Sequence, residues 1–180
     1  MIKARFMEEQ PNVRAIKSNG KISVFLCLNG NECSALREQE DGVVEDKYIE
    51  YDYSEFTVSE TIYPLLGVEQ NPERFLNGYC FAEIDNLTDL QAVYTQYVQD
   101  KMDNAARSYP YRYDDIASAA SYKGSTDPTF NAEGTAFANW RDKVWRKCFD
   151  ILDEVLSGKR YLPTLEELDA ELPKLELPNE

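Results

Sequence analysis

Histidine is absent from the 180 residues, which removes every Ser-His-Asp triad and every zinc site that mixes cysteine with histidine. Cysteine is scarce: Cys27, Cys33, Cys80 and Cys148 contain no CxxC pair, so a four-thiolate metal site would need irregular spacing. The plainer expectation is four reduced thiols used as small apolar side chains, with no metal and no cofactor. No stretch approaches the ~20 apolar residues of a membrane span, and the opening MIKARFMEEQ lacks the apolar segment of a secretory signal. A soluble protein that folds in the cytoplasm is expected. Positive charge is also short, with 19 Lys and Arg against 33 Asp and Glu, a net −14. That balance disfavours contact with a phosphate backbone and favours basic partners.

What is present suffices to fold. The chain is 43% hydrophobic and 12% aromatic, enough for one domain of ordinary size or two small ones. From residue 1 to 56 the pattern is strand-like. Val13 to Lys17 and Lys21 to Leu28 flank Ser18-Asn19-Gly20, a hairpin signature in which Asn-Gly supplies positive φ. Asn29-Gly30-Asn31 reads as a second turn. In Tyr48 to Tyr53, Ile49, Tyr51 and Tyr53 alternate with Glu50 and Asp52, predicting one apolar and one solvated face. Residues 57–86 are punctuated by Pro64, Gly67 and Pro72 and read as a connector with a short helical or strand piece around Phe75 to Ile84.

From Leu87 the period becomes helical. Leu87, Leu90, Val93, Tyr94, Tyr97, Val98, Met102 and Ala105 share half a wheel with Lys101 as the intruder, ending near Ser108 before Pro110. A short helix follows over Asp114 to Tyr122. Asp127 as cap and Pro128 at the first position open the longest helix, which spans about 45 Å if it runs to Ser157. Its apolar arc includes Phe130, Phe137, Trp140, Val144, Trp145, Cys148, Phe149, Ile151, Leu152 and Val155. The arc is wider than the ~100° stripe of a helix with one neighbour, so burial against at least two elements is expected. Phe137, Trp140, Val144, Trp145, Cys148 and Leu152 are the expected core. Gly158 caps, and Thr164-Leu165-Glu166-Glu167 is a capping box for a last helix stopped by Pro173. The class is α+β: a small N-terminal antiparallel β domain (1–56), the connector (57–86) and a C-terminal helical domain with one long helix (87–180).

Several residues carry a sharper reading beside a plain one. Arg141 and Glu133 fall inside the apolar arc, where each would snorkel or find a local ion-pair partner; the sharper reading makes Arg141 a clamp for a partner's carboxylate. Arg141, Lys143, Arg146 and Lys147 are interrupted by Asp142 and followed by acids, which reads as an internal ion-pair surface rather than a nucleic-acid site. Tyr109, Tyr111 and Tyr113 around Pro110 either pack a helix junction or form a partner-binding patch. Leu175 and Leu177 alternate like an edge strand, which either closes the protein's own sheet or adds to a partner's. No carboxylate pair sits in a recognisable catalytic motif, and Asp114-Asp115 reads as a helix start, so no enzyme activity is expected.

The order Tyr111, Ala-rich helix, Phe130-Asn131-Ala132-Glu133-Gly134, Trp140-Arg141-Asp142, Val144-Trp145, Cys148, Leu152, Gly158, Pro163-Thr164, Glu167-Leu168, Leu172-Pro173 resembles a C-terminal helical domain of tailed-phage tail proteins. Those proteins are often described as tail-fibre or tail-fibre-assembly proteins. The resemblance covers about residues 105–178; residues 1–86 resemble nothing. It implies a bacteriophage virion tail, with fibre or baseplate subunits as partners. The expected role is a structural adaptor at the baseplate or fibre attachment site, self-association being open. The alternatives are a transient tail-fibre assembly chaperone and, from the charge, an acidic inhibitor or DNA mimic of a nucleic-acid-binding enzyme.

Overall fold

Asn19 (φ 51°) and Gly20 (φ 77°) both adopt positive φ, the requirement of the two-residue turn whose twist matches paired strands. The turn joins β2 (Val13–Ser18) to β3 (Lys21–Gln39) and sets their register, with Ser18 opposite Lys21 and Val13 opposite Leu26. The computed structural model describes residues 2–39, 42–81, 83–110 and 113–178. β4 (Gly42–Ser59) runs back along the whole of β3, and β1 (Ile2–Phe6) pairs its other edge, giving an antiparallel sheet of order β1-β4-β3-β2.

Asn29-Gly30-Asn31 is not a turn. β3 continues through it as a β-bulge: Leu28 faces Asp52 and Asn31 faces Glu50, so one extra residue sits on β3. Asn29 takes positive φ (55°), while Gly30 leaves room for Tyr51, whose Cε1 would stand 2.6 Å from a Cβ at that position. The alternation expected across Tyr48 to Tyr53 also needs correcting. Asp52 is 7% exposed and lies on the face of Ser54, Phe56 and Val58. It is held there by Lys3 (2.7 Å) and by the Asn29 side-chain amide (2.8 Å), which keep its carboxyl below the usual carboxylate range.

The segment expected as a connector belongs to the same core. β4 extends to Ser59, α1 (Tyr63–Leu66) follows, and a 3-10 helix spans Pro72–Phe75. Ile62, Leu66, Val68 and Phe75 are buried with Val24, Leu26, Phe56 and Val58, and the Phe56 and Phe75 rings lie 5.7 Å apart. The short helical piece expected around Phe75 to Ile84 is found at the start of that stretch, as the 3-10 helix that ends at Phe75, and the described residues from Leu76 to Ile84 are turns and irregular backbone.

Asn86 caps α2 (Leu87–Ser108), its side chain accepting from the Asp89 backbone N–H at 2.9 Å. α3 (Ile116–Ser121) is capped by Asp115, and α4 (Pro128–Leu156) by Asp127 with Pro128 in its first turn. α5 (Leu165–Glu171) carries the reciprocal Thr164/Glu167 capping box. The chain divides into two compact units, Met1–Leu90 and Gln91–Glu180. In the second, Val98, Met102, Ala106, Ile116, Ala119, Phe137, Val144, Ile151, Val155 and Leu168 are the interior. The backbone just after α3 approaches α4 so closely that a Cβ on Gly134 would meet the Lys123 backbone N at 2.4 Å.

Candidate functional site

The most elaborate side-chain arrangement surrounds the second half of α4 and the residues after it. Trp140 is 5% exposed and its indole donates to the Pro173 carbonyl at 2.7 Å. Tyr94 on α2 donates to the Pro163 carbonyl at 2.5 Å. Between these two proline carbonyls lies α5, tied down by charge. Arg160 grips Glu171 with two guanidinium nitrogens at 3.0 and 2.6 Å, and Lys147 of α4 reaches the same carboxylate at 3.1 Å. Arg160 first, then Lys147, hold the Glu171 carboxyl at about 2. On the other flank Lys101 pairs with Asp169, which also accepts from Tyr97, and the Lys101 contact depresses the Asp169 carboxyl. Lys101, the intruder in the apolar arc of α2, is explained by that partner.

The tyrosines near Pro110 serve the interior. Tyr109 and Tyr113 stack with ring centroids 6.1 Å apart, and both meet Phe137 edge-on. Both donate to Glu133, at 3.0 and 2.7 Å, which accounts for a carboxylate only 1% exposed inside the arc. Burial, then the Glu133 contact, pushes the Tyr113 hydroxyl pKa up. Tyr113 is 7% exposed, so as a partner-contact residue it is corrected: it and Tyr109 pack the helix junction. Tyr111 lies outside the described residues.

Leu175 and Leu177 form no strand. The segment after α5 is irregular, because the Pro173 carbonyl is taken by Trp140 and the chain then runs beside α4. It walls a cleft of about 310 Å³ with Thr135, Asn139, Lys143, Lys174 and Leu177. Arg141 bonds its neighbour Asp142 at 2.9 and 3.1 Å on the surface, the local pair of the plainer reading. Of the expected core residues, Phe137, Trp140 and Val144 are buried, whereas Trp145, Cys148 and Leu152 are only partly so. Those three sit toward the edge of the arc, past the stripe of Trp140, Val144 and Ile151 that meets the interior.

The internal ion-pair surface expected of the Arg141 to Lys147 cluster and the acids that follow it is found at Lys147 and Glu171. Sequence reasoning missed Asp169 as the partner of Lys101, and the two proline carbonyls. Among the described residues no group of three His, Cys, Asp or Glu is placed to hold a metal, and no helix is long and apolar enough to cross a membrane. All four cysteines carry free thiols. Neither a protein-family model, nor a curated protein, nor a solved structure matches the chain.

Proposed function

We propose that the chain is a non-enzymatic structural protein of a bacteriophage tail, an adaptor at the baseplate or fibre attachment site. One observation carries the reading. The two sequence elements behind the resemblance, Trp140-Arg141-Asp142 through Trp145 and Pro163-Thr164 through Leu168, are parts of one physical assembly. Trp140 holds Pro173 just beyond the second element, and Lys147 just beyond the first holds Glu171 of α5. Side chains shared between the two elements support reading them together as one motif.

Asp52, Asp169 and Glu171 are shifted downward, chiefly by Lys3, Lys101 and Arg160, so each serves an ion pair that ties elements of its own unit together. A division into two units, one built on a sheet and the other on helices, suits a protein that bridges two neighbours. Mass spectrometry of purified particles from the phage encoding the chain tests the reading. An adaptor is recovered at fixed stoichiometry to a baseplate or fibre subunit. Absence from particles, with recovery on unassembled fibre chains, identifies an assembly chaperone instead. Absence from both, with binding to a nucleic-acid enzyme, identifies an acidic inhibitor.

A further inference from the structure

The apolar arc of α4 is wide enough for two neighbours, yet within the second unit the described residues occupy only one side of it. Trp140, Val144, Ile151 and Val155 face the interior. On the other side Trp145, Phe149, Leu152 and Leu156 follow one another at spacings of four, three and four, a straight seam along the helix. Phe149 is 60% and Leu156 59% exposed, and the Trp145 and Phe149 rings lie 6.5 Å apart, so the seam presents a continuous apolar surface. At 1.5 Å per residue it is about 17 Å long. Seams of this spacing are the surfaces on which helices pair.

Charges along one flank say what the seam fits. Arg146 follows Trp145 directly and Asp153 follows Leu152 directly, two turns apart, so they share a flank. Both are exposed, and neither forms an ion pair among the described residues. In an antiparallel pair of identical seams, Phe149 meets Leu152 of the second copy and Trp145 meets its Leu156. The same rotation sets the flank of one helix against the same flank of the other, so Arg146 of each copy reaches Asp153 of its mate. The seam is complementary to itself in both apolar spacing and charge.

We infer that two copies of this chain pair through α4, antiparallel, along Trp145, Phe149, Leu152 and Leu156. The inference stands apart from the tail assignment, since it requires only the chain itself. A seam of this length is at the small end of specific interfaces, and a net charge of −14 on each copy opposes association, so the dimer is weak and concentration-dependent.

Sedimentation equilibrium on the full chain tests it, at about 0.15 M ionic strength, where the Debye length is ~8 Å, and over about 10 to 500 µM. The mass rises from one chain toward two. Phe149→Glu or Leu156→Glu holds it at one chain while the circular dichroism spectrum stays unchanged, because both side chains already stand in solvent. Arg146→Asp weakens the dimer about five- to tenfold, and Arg146→Asp with Asp153→Arg returns it to within about threefold of the starting value. A single-chain mass at every concentration overturns the inference, whether the seam is then covered by residues 1–90 or by another protein. So does a dimer indifferent to Phe149→Glu and Leu156→Glu. Failure of the double reversal to restore association overturns the antiparallel arrangement.

Discussion

Replacing Trp140 separates an interior role from membership of an apolar arc. The side chain is 5% exposed and its indole N–H reaches the Pro173 carbonyl at 2.7 Å. Trp140→Ala removes an indole that cannot be replaced by collapse between α4 and the segment after α5, a loss of about 3–5 kcal/mol. Trp140→Phe keeps most of the apolar volume and removes the hydrogen bond. Pro173 is only half-buried, so water partly replaces the lost donor, and the cost is about 1–2 kcal/mol. Phe149 belongs to the same sequence arc but is 60% exposed, so Phe149→Ala costs under about 1 kcal/mol. Urea unfolding with a shared m-value measures all three, at one low protein concentration to keep self-association out of the comparison. Trp140→Phe also frees residues 173–178, which cleavage after Lys174 by trypsin reports at native conditions. Equal costs for Trp140→Ala and Phe149→Ala would falsify the division of α4 into an interior and a solvent side.

Three further outcomes are expected. Gly134→Ala gains about 1 kcal/mol of helix propensity but drives a Cβ to 2.4 Å from the Lys123 backbone, for a net loss of about 1–3 kcal/mol by thermal unfolding; a stabilised variant refutes the close approach of the backbone after α3 to α4. Glu171, held at about 2 by Arg160 and Lys147, contributes stability that is complete above its ordinary carboxylate range and drains away as pH falls toward about 2. The unscreened value is roughly 3 kcal/mol; with 31% of the side chain exposed, about 1–2 kcal/mol survives, so the gap between wild type and Glu171→Gln in urea is open near pH 6 and closes near pH 2, and a pH-independent gap counts against it. The fragment 87–180 folds by itself with helical circular dichroism and a cooperative melt; a fragment that is unstructured until residues 1–86 are added refutes the independence of the second unit.

Features decided within a few residues are legible in the amino-acid order alone. The Asn19-Gly20 turn, the Asp127 cap with Pro128, the Thr164 capping box and the span of α2 to Ser108 all depend on local backbone geometry. Features decided by distant partners are not. Asn29-Gly30-Asn31 has turn composition, but its backbone finds partners on β4, and pairing turns it into a bulge. Glu133 looks misplaced in an apolar arc until Tyr109 and Tyr113 arrive from another part of the chain. Leu175 and Leu177 alternate as a strand does, yet the Trp140 indole claims the backbone just ahead of them. Periodicity marks which side chains avoid water but cannot count the neighbours available, which is why Trp145, Cys148 and Leu152 resemble interior residues.

The extra residue at Asn29-Gly30 acts as a phase shifter for the β3–β4 ribbon. Before it, even-numbered residues of β3 share a face with even-numbered residues of β4, as Val24 does with Phe56 and Leu26 with Ser54. After it, odd-numbered residues of β3 occupy that face: Cys33 opposite Tyr48, Ala35 opposite Asp46, Arg37 opposite Val44. Leu36 is thereby carried to the opposite face, where it stands 77% exposed. The Gln39–Gly42 pair that ends the ladder depends on the same offset. Substituting residue 29 or 30 changes local strain, whereas deleting either one removes the bulge: the residue left faces Tyr51, Asn31 still faces Glu50, and every later pair keeps its present face. The odd–even offset of the far half of the ribbon is thus held in one spare residue, and loss of that residue should be tolerated far better than a one-residue deletion elsewhere in β3, which has no bulge to absorb it.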